Sequence, residues 1–186
     1  MDVKYCEFGV CGLSCRLCPR YHTDAESRCG GCKNEQRIAV GCPFITCAVK
    51  KQRIEFCWDC HDSRTCEKWA KHRDFGRQYD TFKCYQKLED NISAITQSGI
   101  DSFEEQQRAR EQILTEMLAE FNEGRSKSYY CIAATVMEIE ELREALNQAR
   151  EESEEIGIRD KSRVMHSVLD SIASKRSYYL KLRKRK

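Results

Sequence analysis

The sequence predicts a mainly α-helical protein, in which an irregular cysteine-rich N-terminal segment (residues 1–66) is docked on a C-terminal helical bundle (residues 67–186). Two observations support this prediction. Eleven of the 13 cysteines lie between Cys6 and Cys66, in a stretch with little helical or strand periodicity. After residue 66, apolar residues recur at intervals of three and four, which is the spacing of a helix buried on one face, and proline is absent after Pro43.

The cysteine-rich segment combines turn-forming residues with few large apolar ones. Glycine and proline punctuate regular structure, and the segment contains Gly12, Pro19, Gly31 and Pro43 among others. Because so little apolar surface is available, burial alone would not stabilise these residues. We therefore expect a different kind of interaction to hold the segment together.

Two helices are predicted directly after this segment. Aromatic residues from Trp69 to Tyr79 recur at helical spacing and predict the first helix. The second is predicted by a stripe formed by Phe82, Tyr85, Leu88, Ile92 and Ile95. Gly99 is expected to end it, because glycine readily adopts the left-handed conformation found at helix C-termini.

Three longer helices are predicted in the rest of the chain. Ser102 and Glu105 have the spacing of a capping box, which would open the third helix, and Gly124 is expected to end it. Apolar periodicity then predicts a fourth helix over about 128–149 and a fifth beginning at about residue 160.

The cysteines have spacings typical of metal ligands. A Cys-x-x-Cys turn directs two thiolates to one tetrahedral centre, and two such turns complete its coordination. A disulfide framework is disfavoured by the odd number of cysteines and by the absence of an export signal. We predict ten metal ligands: Cys11, Cys15, Cys18, Cys29, Cys32, Cys42, Cys47, Cys57, Cys60 and Cys66. Metal coordination would then cross-link the segment and stabilise its fold, as it does in small zinc domains.

The sequence leaves the grouping of these ligands open, since Cys-x-x-Cys turns can interleave. One set would be Cys15, Cys18, Cys29 and Cys32, and a ribbon-like set would be Cys42, Cys47, Cys57 and Cys60. Cys11 and Cys66 are then spare, or they replace a neighbour. His22, His61 and His72 lie nearby and are expected at the surface or behind the ligands, because thiols are in surplus. Cys84 and Cys131 lie on predicted helices, without a paired thiol nearby, and are expected to be packing residues.

The motif CGLSCRLCP, residues 11–19, is compatible either with zinc or with an iron–sulfur cluster. Radical enzymes with such a motif also need an α/β barrel, for which ordinary examples take ~250 residues, and the chain has no strand–helix alternation. The Cys-Pro pair is nevertheless found in ferredoxins. We therefore predict a zinc-binding structural and interaction protein whose partner is another protein. An iron–sulfur redox protein of anaerobic metabolism is the alternative.

The order of the cysteine motifs resembles a known family. CGLSCRLCP, CGGC at 29–32, the pair Cys42–Cys47, and CWDC at 57–60 followed by Cys66 are similar to a cysteine-rich family catalogued as domain of unknown function thirty-seven ninety-five. The stretches FNEGRSKSYYC and LKLRKRK resemble its longer members. HDSRTC departs from the pattern, because members often carry a proline just before the last cysteine. The resemblance implies metal binding and brings no established reaction.

Two further features admit a functional interpretation. GRSKS, residues 124–128, could bind an anion at a helix N-terminus, although a glycine that ends one helix and a serine that opens the next explain it better. The basic tail, residues 175–186, carries seven lysines and arginines with Tyr178 and Tyr179, which could stack on nucleic-acid bases. Pairing with the acidic stretch 138–155, or simple solvation, is the preferred interpretation.

The overall composition places limits on function. The net charge is +2 and the mean hydropathy is −0.71, so no global charge attracts nucleic acid or a membrane surface. No apolar run approaches the ~20 residues that cross a bilayer, and the opening MDVKYCEFG has no signal-peptide core. We expect a cytoplasmic protein. Since no catalytic motif stands out, we assign no catalytic residues.

Overall fold

The computed structural model describes residues 3–80 and 87–184, and its regular secondary structure there is helical. In the cysteine-rich segment, α1 (Glu35–Val40) is followed by α2 (Pro43–Ile45), a π-helical stretch (Thr46–Gln52) and a 3-10 turn (Cys57–Asp59). The helical region contains α3 (Glu67–Gln78), α4 (Leu88–Ser98), α5 (Ile100–Phe121), α6 (Lys127–Val136), α7 (Ile139–Glu151) and α8 (Ile158–Arg176). The predicted mainly α-helical fold is confirmed.

Helix α5 is the centre of the helical region. It contacts α4, α6, α7 and α8, and its apolar face is buried by them. Leu114 and Met117 on α5 are fully buried, as are Leu142 on α7 and Met165 on α8. These side chains belong to one continuous core cluster, so the amphipathic pattern of each helix is satisfied by its neighbours. No helix in the described residues is long and apolar enough to cross a membrane.

The junction between α4 and α5 differs from the prediction. Gly99 ends α4 as expected, with a φ of 83°, but α5 begins at Ile100 and has no side-chain cap. The capping box predicted at Ser102 and Glu105 is therefore wrong, because the left-handed glycine redirects the chain in one residue and α5 starts at once. At the other end, α5 stops at Phe121, three residues before Gly124.

The predicted fourth helix is also wrong, because it is two helices. The chain is extended at Met137 and Glu138, between α6 and α7. Arg110 of α5 donates a hydrogen bond to the Ala134 carbonyl at 3.0 Å and another to the Met137 carbonyl, which satisfies acceptors that a continuous helix would use. A capping box then opens α7, with the Glu138 backbone N–H donating to the Glu141 carboxylate at 3.1 Å.

The other helices match their predictions. The first corresponds to α3 and the fifth to α8, which begins at Ile158. The second corresponds to α4, whose predicted apolar residues Ile92 and Ile95 are buried. Phe82 and Tyr85 of that stripe lie outside the described residues.

The cysteine-rich segment is docked on α3, α4 and α5 by its buried apolar side chains. Leu17 enters the main core of the helical region. Leu13 packs with Trp69, Leu88 and Ile92. Phe8 and Phe56 form a third cluster with Ile95 and Phe103, and one further cluster is built from the segment itself (Val10, Ile45, Ala48 and Val49). Most of the segment's anchors therefore depend on the helices.

A nearly buried arginine reinforces this docking. Arg16 is 9% exposed, and its guanidinium donates to Glu111 at 2.8 Å and to Glu104 at 3.1 Å, both on α5. Its third carboxylate neighbour, Glu7, lies 3.7 Å away. The segment is thus joined to α5 by charge as well as by apolar contact.

The basic tail folds back on the helical region. Arg183 binds the buried carboxylate of Asp80 at 2.8 Å and donates to the carbonyls of Gly76 and Arg77 at the end of α3. Arg176 pairs with Glu141 at 2.9 Å. Pairing with the acidic stretch thus occurs at Arg176, whereas Arg183 pairs with Asp80, just after α3, which the charge pattern did not indicate.

Candidate metal centre

The loop CGLSC is a tight turn pressed against α4. The Gly12 N–H donates to the Gly9 carbonyl at 3.0 Å, and the Cys15 N–H donates to the Glu7 carbonyl at 2.7 Å. Gly12 has a φ of 89°, and a Cβ there would lie 2.8 Å from Ile92 Cγ1. Only glycine combines that backbone conformation with such close packing.

The CGGC turn lies across this first loop. The Cys32 N–H donates to the Cys15 sulfur at 3.2 Å, and the Cys29 N–H donates to the Arg20 carbonyl at 3.0 Å. A Cβ at Gly31 would lie 2.4 Å from the Cys6 carbonyl oxygen. The CGLSC loop and the CGGC turn are therefore held directly against each other.

The third turn, CWDC, joins the same assembly through its backbone. The Cys57 N–H donates to the Val10 carbonyl at 2.8 Å, and the Cys60 N–H donates to the Cys57 carbonyl at 3.3 Å within the 3-10 turn. The Trp58 ring stacks on Phe56 with centroids 4.5 Å apart. Cys57 is thus placed beside the CGLSC loop.

Six of the ten predicted ligands line one cavity of about 360 Å³, which we name the thiol cavity. They are Cys11, Cys15, Cys18, Cys29, Cys32 and Cys42. Its wall is completed by side chains such as Tyr21, Phe44 and His72. The predicted set Cys15, Cys18, Cys29 and Cys32 is thereby brought together, with Cys11 and Cys42 added to it.

The other four predicted ligands lie around Cys57, and we name them the Cys57 group. They are Cys47, Cys57, Cys60 and Cys66. The pKa of Cys57 is raised to about 12, mainly by burial, with the neighbouring thiols, Cys11 foremost, contributing to the rise. The spacing predicts a ribbon-like set that contains Cys42. In the structure Cys66 takes the place of Cys42 in this group, and Cys42 lines the thiol cavity instead. Cys47, on the π-helical stretch, is exposed.

Burial and mutual contact favour neutral thiols in the thiol cavity. The pKa of Cys11 is raised to about 12, mainly by burial, with Cys32 and Cys42 adding to it. The pKa of Cys15 is also well above its usual range, because its side chain is hydrogen-bonded to Cys32 and buried. Within the described residues, no three Cys, His, Asp or Glu side chains converge closely enough to hold a metal ion. The sulfur atoms line one cavity but do not converge on a single position inside it.

Comparison with known proteins identifies the cysteine-rich segment. Residues 7–71 match the model of a family described as "Protein of unknown function (DUF3795)". Over these residues the chain is similar to that family. The match includes all ten predicted ligands and ends within α3, which confirms the resemblance that the motif order indicated. No curated protein and no solved structure matches the chain.

The three histidines within or beside the DUF3795 motifs occupy different environments. His61 is exposed and contacts Asp62 at 3.1 Å. His22 Nε2 lies 2.5 Å from the Arg16 carbonyl oxygen. His72 lines the thiol cavity and packs on Phe44 with ring centroids 4.5 Å apart, and burial lowers its pKa.

The DUF3795 region also contains a buried lysine that sequence reasoning missed. Lys33 directly follows CGGC and is 1% exposed. Its ammonium lies 2.7 Å from the Glu55 carboxylate and 4.1 Å from the centre of the Phe56 ring. Glu55 in turn accepts the backbone N–H of Lys4 at 2.6 Å. Lysines are usually solvated, so only its position next to Cys32 could have drawn attention to it.

The GRSKS motif has a structural role here. The Ser126 hydroxyl contacts the Glu123 carboxylate at 2.6 Å, Ser162 at 3.0 Å and His166 at 2.8 Å. Lys127 donates to the His22 carbonyl at 3.1 Å, which joins α6 to the cysteine-rich segment. These contacts explain the serine and the lysine without a bound anion.

The cysteines outside the predicted set are also accounted for where they are described. Cys131 is fully buried in the main core, as expected of a packing residue. Cys6 directs its thiol to the Val3 carbonyl at 3.9 Å. Cys84 lies outside the described residues.

Proposed function

We propose that this chain is a zinc-binding structural and interaction protein, in which thiolates of the DUF3795 segment hold zinc in one or two closed sites and a further protein is the partner. One observation carries the proposal. All ten predicted ligands fall into two adjacent groups, six around the thiol cavity and four around Cys57, although they come from turns spread over more than fifty residues.

The chemistry of the donors fits zinc. Thiolates are the ligands of structural zinc sites, where four sulfur atoms lie about 2.3 Å from the ion. The backbone N–H of Cys32 already points at the Cys15 sulfur, and such a bond is strongest when the sulfur is charged. The ligand-bearing turns are fixed by backbone hydrogen bonds and left-handed glycines. When bound, zinc would supply a cross-link between turns that have little regular structure of their own.

An iron–sulfur redox protein is the second candidate, and the size of the thiol cavity favours it. A volume of about 360 Å³ is large for one ion, and six thiols exceed the four that a cluster uses. Colour separates the two candidates, because zinc thiolates are colourless and iron–sulfur clusters absorb visible light.

Nucleic-acid binding is not favoured by the tail. Arg176 and Arg183 are engaged with carboxylates of the same chain, so less positive charge is left to attract phosphates. We expect weak binding at physiological salt, with or without residues 175–186. Tight binding that weakens steeply with salt would contradict this.

Metal and acid-labile sulfide, measured per chain on protein purified anaerobically, test the proposal. We expect zinc without sulfide. Cys15→Ser and Cys18→Ser should each lose one equivalent of metal, because each removes a ligand from the thiol cavity. Cys6→Ser, in the same segment, and Cys131→Ser, in the helical core, are the controls and should retain it. Full retention in both ligand variants would exclude the ligand assignment, and stoichiometric sulfide would exclude zinc.

A further inference from the structure

We infer that a second pocket, between the CGLSC loop and the helices, binds a small uncharged amide. We name it the polar pocket. Its ligand donates a hydrogen bond to the side-chain oxygen of Gln107 and accepts one from the hydroxyl of Ser14. The polar pocket lies outside the thiol cavity and the Cys57 group, and the inference requires no metal.

The polar pocket is formed where the cysteine-rich segment meets three helices. Its walls include Ser14 of the CGLSC loop, Asn91 of α4, Gln107 of α5 and Thr135 of α6. Its volume is about 160 Å³, which exceeds the ~30 Å³ that one water molecule occupies in the liquid. The pocket therefore has room for a small organic molecule.

Two buried polar atoms of this pocket point to a ligand. Ser14 is 2% exposed and Gln107 is 5% exposed. Among the described residues, neither Ser14 Oγ nor Gln107 Oε1 has a hydrogen-bond partner. Leaving a buried polar atom unpaired costs free energy, and native structures rarely do so. Because both residues line the same pocket, one bound molecule can satisfy both atoms.

Two other buried polar side chains of the pocket are already engaged with the backbone. The Asn91 side-chain amide donates to the Gly12 carbonyl at 3.1 Å, and the Thr135 hydroxyl donates to the Cys131 carbonyl at 2.7 Å. Their roles are explained by the fold. The unpaired atoms of Ser14 and Gln107 are not explained in this way, so they define what the ligand must offer.

The chemistry of these two atoms selects an amide. A glutamine side-chain oxygen only accepts hydrogen bonds, whereas a serine hydroxyl can donate one. An amide offers an N–H and a C=O in one planar group, so its N–H can bind Gln107 while its C=O accepts from Ser14. A molecule with acceptors alone would leave the Gln107 oxygen unpaired.

The charges around the pocket favour an uncharged ligand. Lys87 pairs with Asp90 at 3.1 Å, and the Arg110 guanidinium lies 3.6 Å from the Glu138 carboxylate. Two cations are thus matched by two anions of the same lining. An ionic ligand would give up hydration here without gaining an unpaired counter-charge, which is unfavourable.

An NMR titration of the full nitrogen-15-labelled chain tests the inference with four probes of similar size. Acetamide is uncharged and both donates and accepts hydrogen bonds. Acetate is an anion, acetamidinium is a cation, and acetone only accepts. With acetamide we expect saturable shifts of the Ser14 backbone amide and of the Gln107 side-chain amide. The other three should bind about tenfold more weakly or worse, because each loses a hydrogen bond or brings an unpaired charge.

Gln107→Met removes the acceptor while keeping a side chain of similar length. It should weaken acetamide binding about tenfold or more. It should not lower the midpoint of thermal unfolding, since it deletes a buried acceptor that has no partner among the described residues. Gln112→Met is the matched control, because Gln112 is an exposed residue of the same helix. It should leave acetamide binding unchanged.

Each other outcome overturns the inference. The absence of a saturable shift with any probe would mean that Ser14 and Gln107 bind water alone. Equal binding of acetate or acetamidinium would contradict an uncharged ligand, and equal binding of acetone would contradict an amide. The probes are compared in the unmodified protein, so the test survives a variant that fails to fold. None of these outcomes bears on metal binding, which is tested separately by metal and sulfide content.

Discussion

The cysteine-rich segment and the helical region are stabilised in different ways. In the helical region, Leu114, Met117, Leu142 and Met165 are fully buried in one continuous core. In the segment, buried apolar residues fall into small clusters, most of which are completed by α3, α4 or α5. Among the described residues, only the cluster around Val10 and Ile45 is built from the segment alone. The helices can therefore hold themselves together, whereas the segment needs a surface to dock on and, we propose, metal ions.

Charged residues show a partial contrast, since the helical region also buries one paired carboxylate, that of Asp80 with Arg183. The ion pairs Lys71–Glu67 and Arg163–Asp160 lie on exposed helix surfaces, where such pairs contribute little. In the segment, Arg16 and Lys33 are almost completely buried and bind carboxylates. Burying a charge is costly unless it is paired, so these two residues fix how the segment folds and docks.

Removing metal should produce the largest difference in stability between the two regions. A strong chelator should greatly accelerate amide hydrogen exchange in residues 1–66 while leaving α5–α8 protected, because Leu17 is the only described side chain from the segment in their core. Exchange followed by mass spectrometry measures both regions at once. Unchanged exchange in the segment after complete metal removal would contradict its dependence on metal.

Loss of the buried arginine should weaken the docking next most. Arg16→Ala leaves Glu111 without its cation and Glu104 with only the exposed Arg108, and breaking a buried pair costs about 3 kcal/mol. Arg108→Ala is the matched control, because Arg108 pairs with the same Glu104 but has a side chain that is 64% exposed. We expect its loss to cost about 0.5 kcal/mol or less. Denaturant unfolding measures both, and equal effects would exclude a special role for Arg16.

Two left-handed glycines test how closely each region is packed. A Cβ at Gly99, with a φ of 83°, would meet nothing within 4 Å, whereas a Cβ at Gly12 would lie 2.8 Å from Ile92. Gly99→Ala should cost about 1 kcal/mol through backbone strain alone. Gly12→Ala should cost about 3 kcal/mol, since overpacking adds to the strain. Similar free energies of unfolding for the two variants would show that the CGLSC loop is not pressed on α4.

The smallest effect concerns a carboxylate of the helical region. Hydrogen bonds from Ser126 and Ser162 lower the pKa of Glu123 to about 2 from its ordinary value of 4.5. A carboxyl group with a lowered folded pKa stabilises the fold above its unfolded pKa, and this contribution is lost as the pH falls from about 4.5 to about 2.

Glu123→Gln should therefore lower the free energy of unfolding by about 1 kcal/mol at pH 7, a value kept small because solvent screens this half-exposed group. The difference from the parent should shrink as the pH falls through that range. Glu154→Gln, at an exposed position, should change nothing. A Glu123→Gln effect that stays constant from pH 7 to pH 2 would exclude ionisation as its cause.

Much of the helical region was predictable, because its signals are local. Helices α3, α4, α5 and α8 follow from apolar residues three and four positions apart, and Gly99 ends α4 as its backbone freedom suggests. The break between α6 and α7 was not predictable in this way. Apolar residues continue on both sides of Met137, and the break is capped by Arg110, which lies on another helix.

The features of the candidate site also divide into those that local sequence predicts and those that depend on tertiary contacts. The sequence alone determined which thiols are candidate ligands and that Cys-x-x-Cys turns present them in pairs, since two residues between thiols set their separation within one turn. Only the tertiary structure decided that Cys42 lines the thiol cavity, that Cys66 lies in the Cys57 group, and that Lys33 is buried. These outcomes depend on contacts such as the hydrogen bond between Cys57 and Val10, which joins residues far apart in the chain. Spacing is a property of a few neighbouring residues, whereas grouping and burial are set by which distant turns pack together.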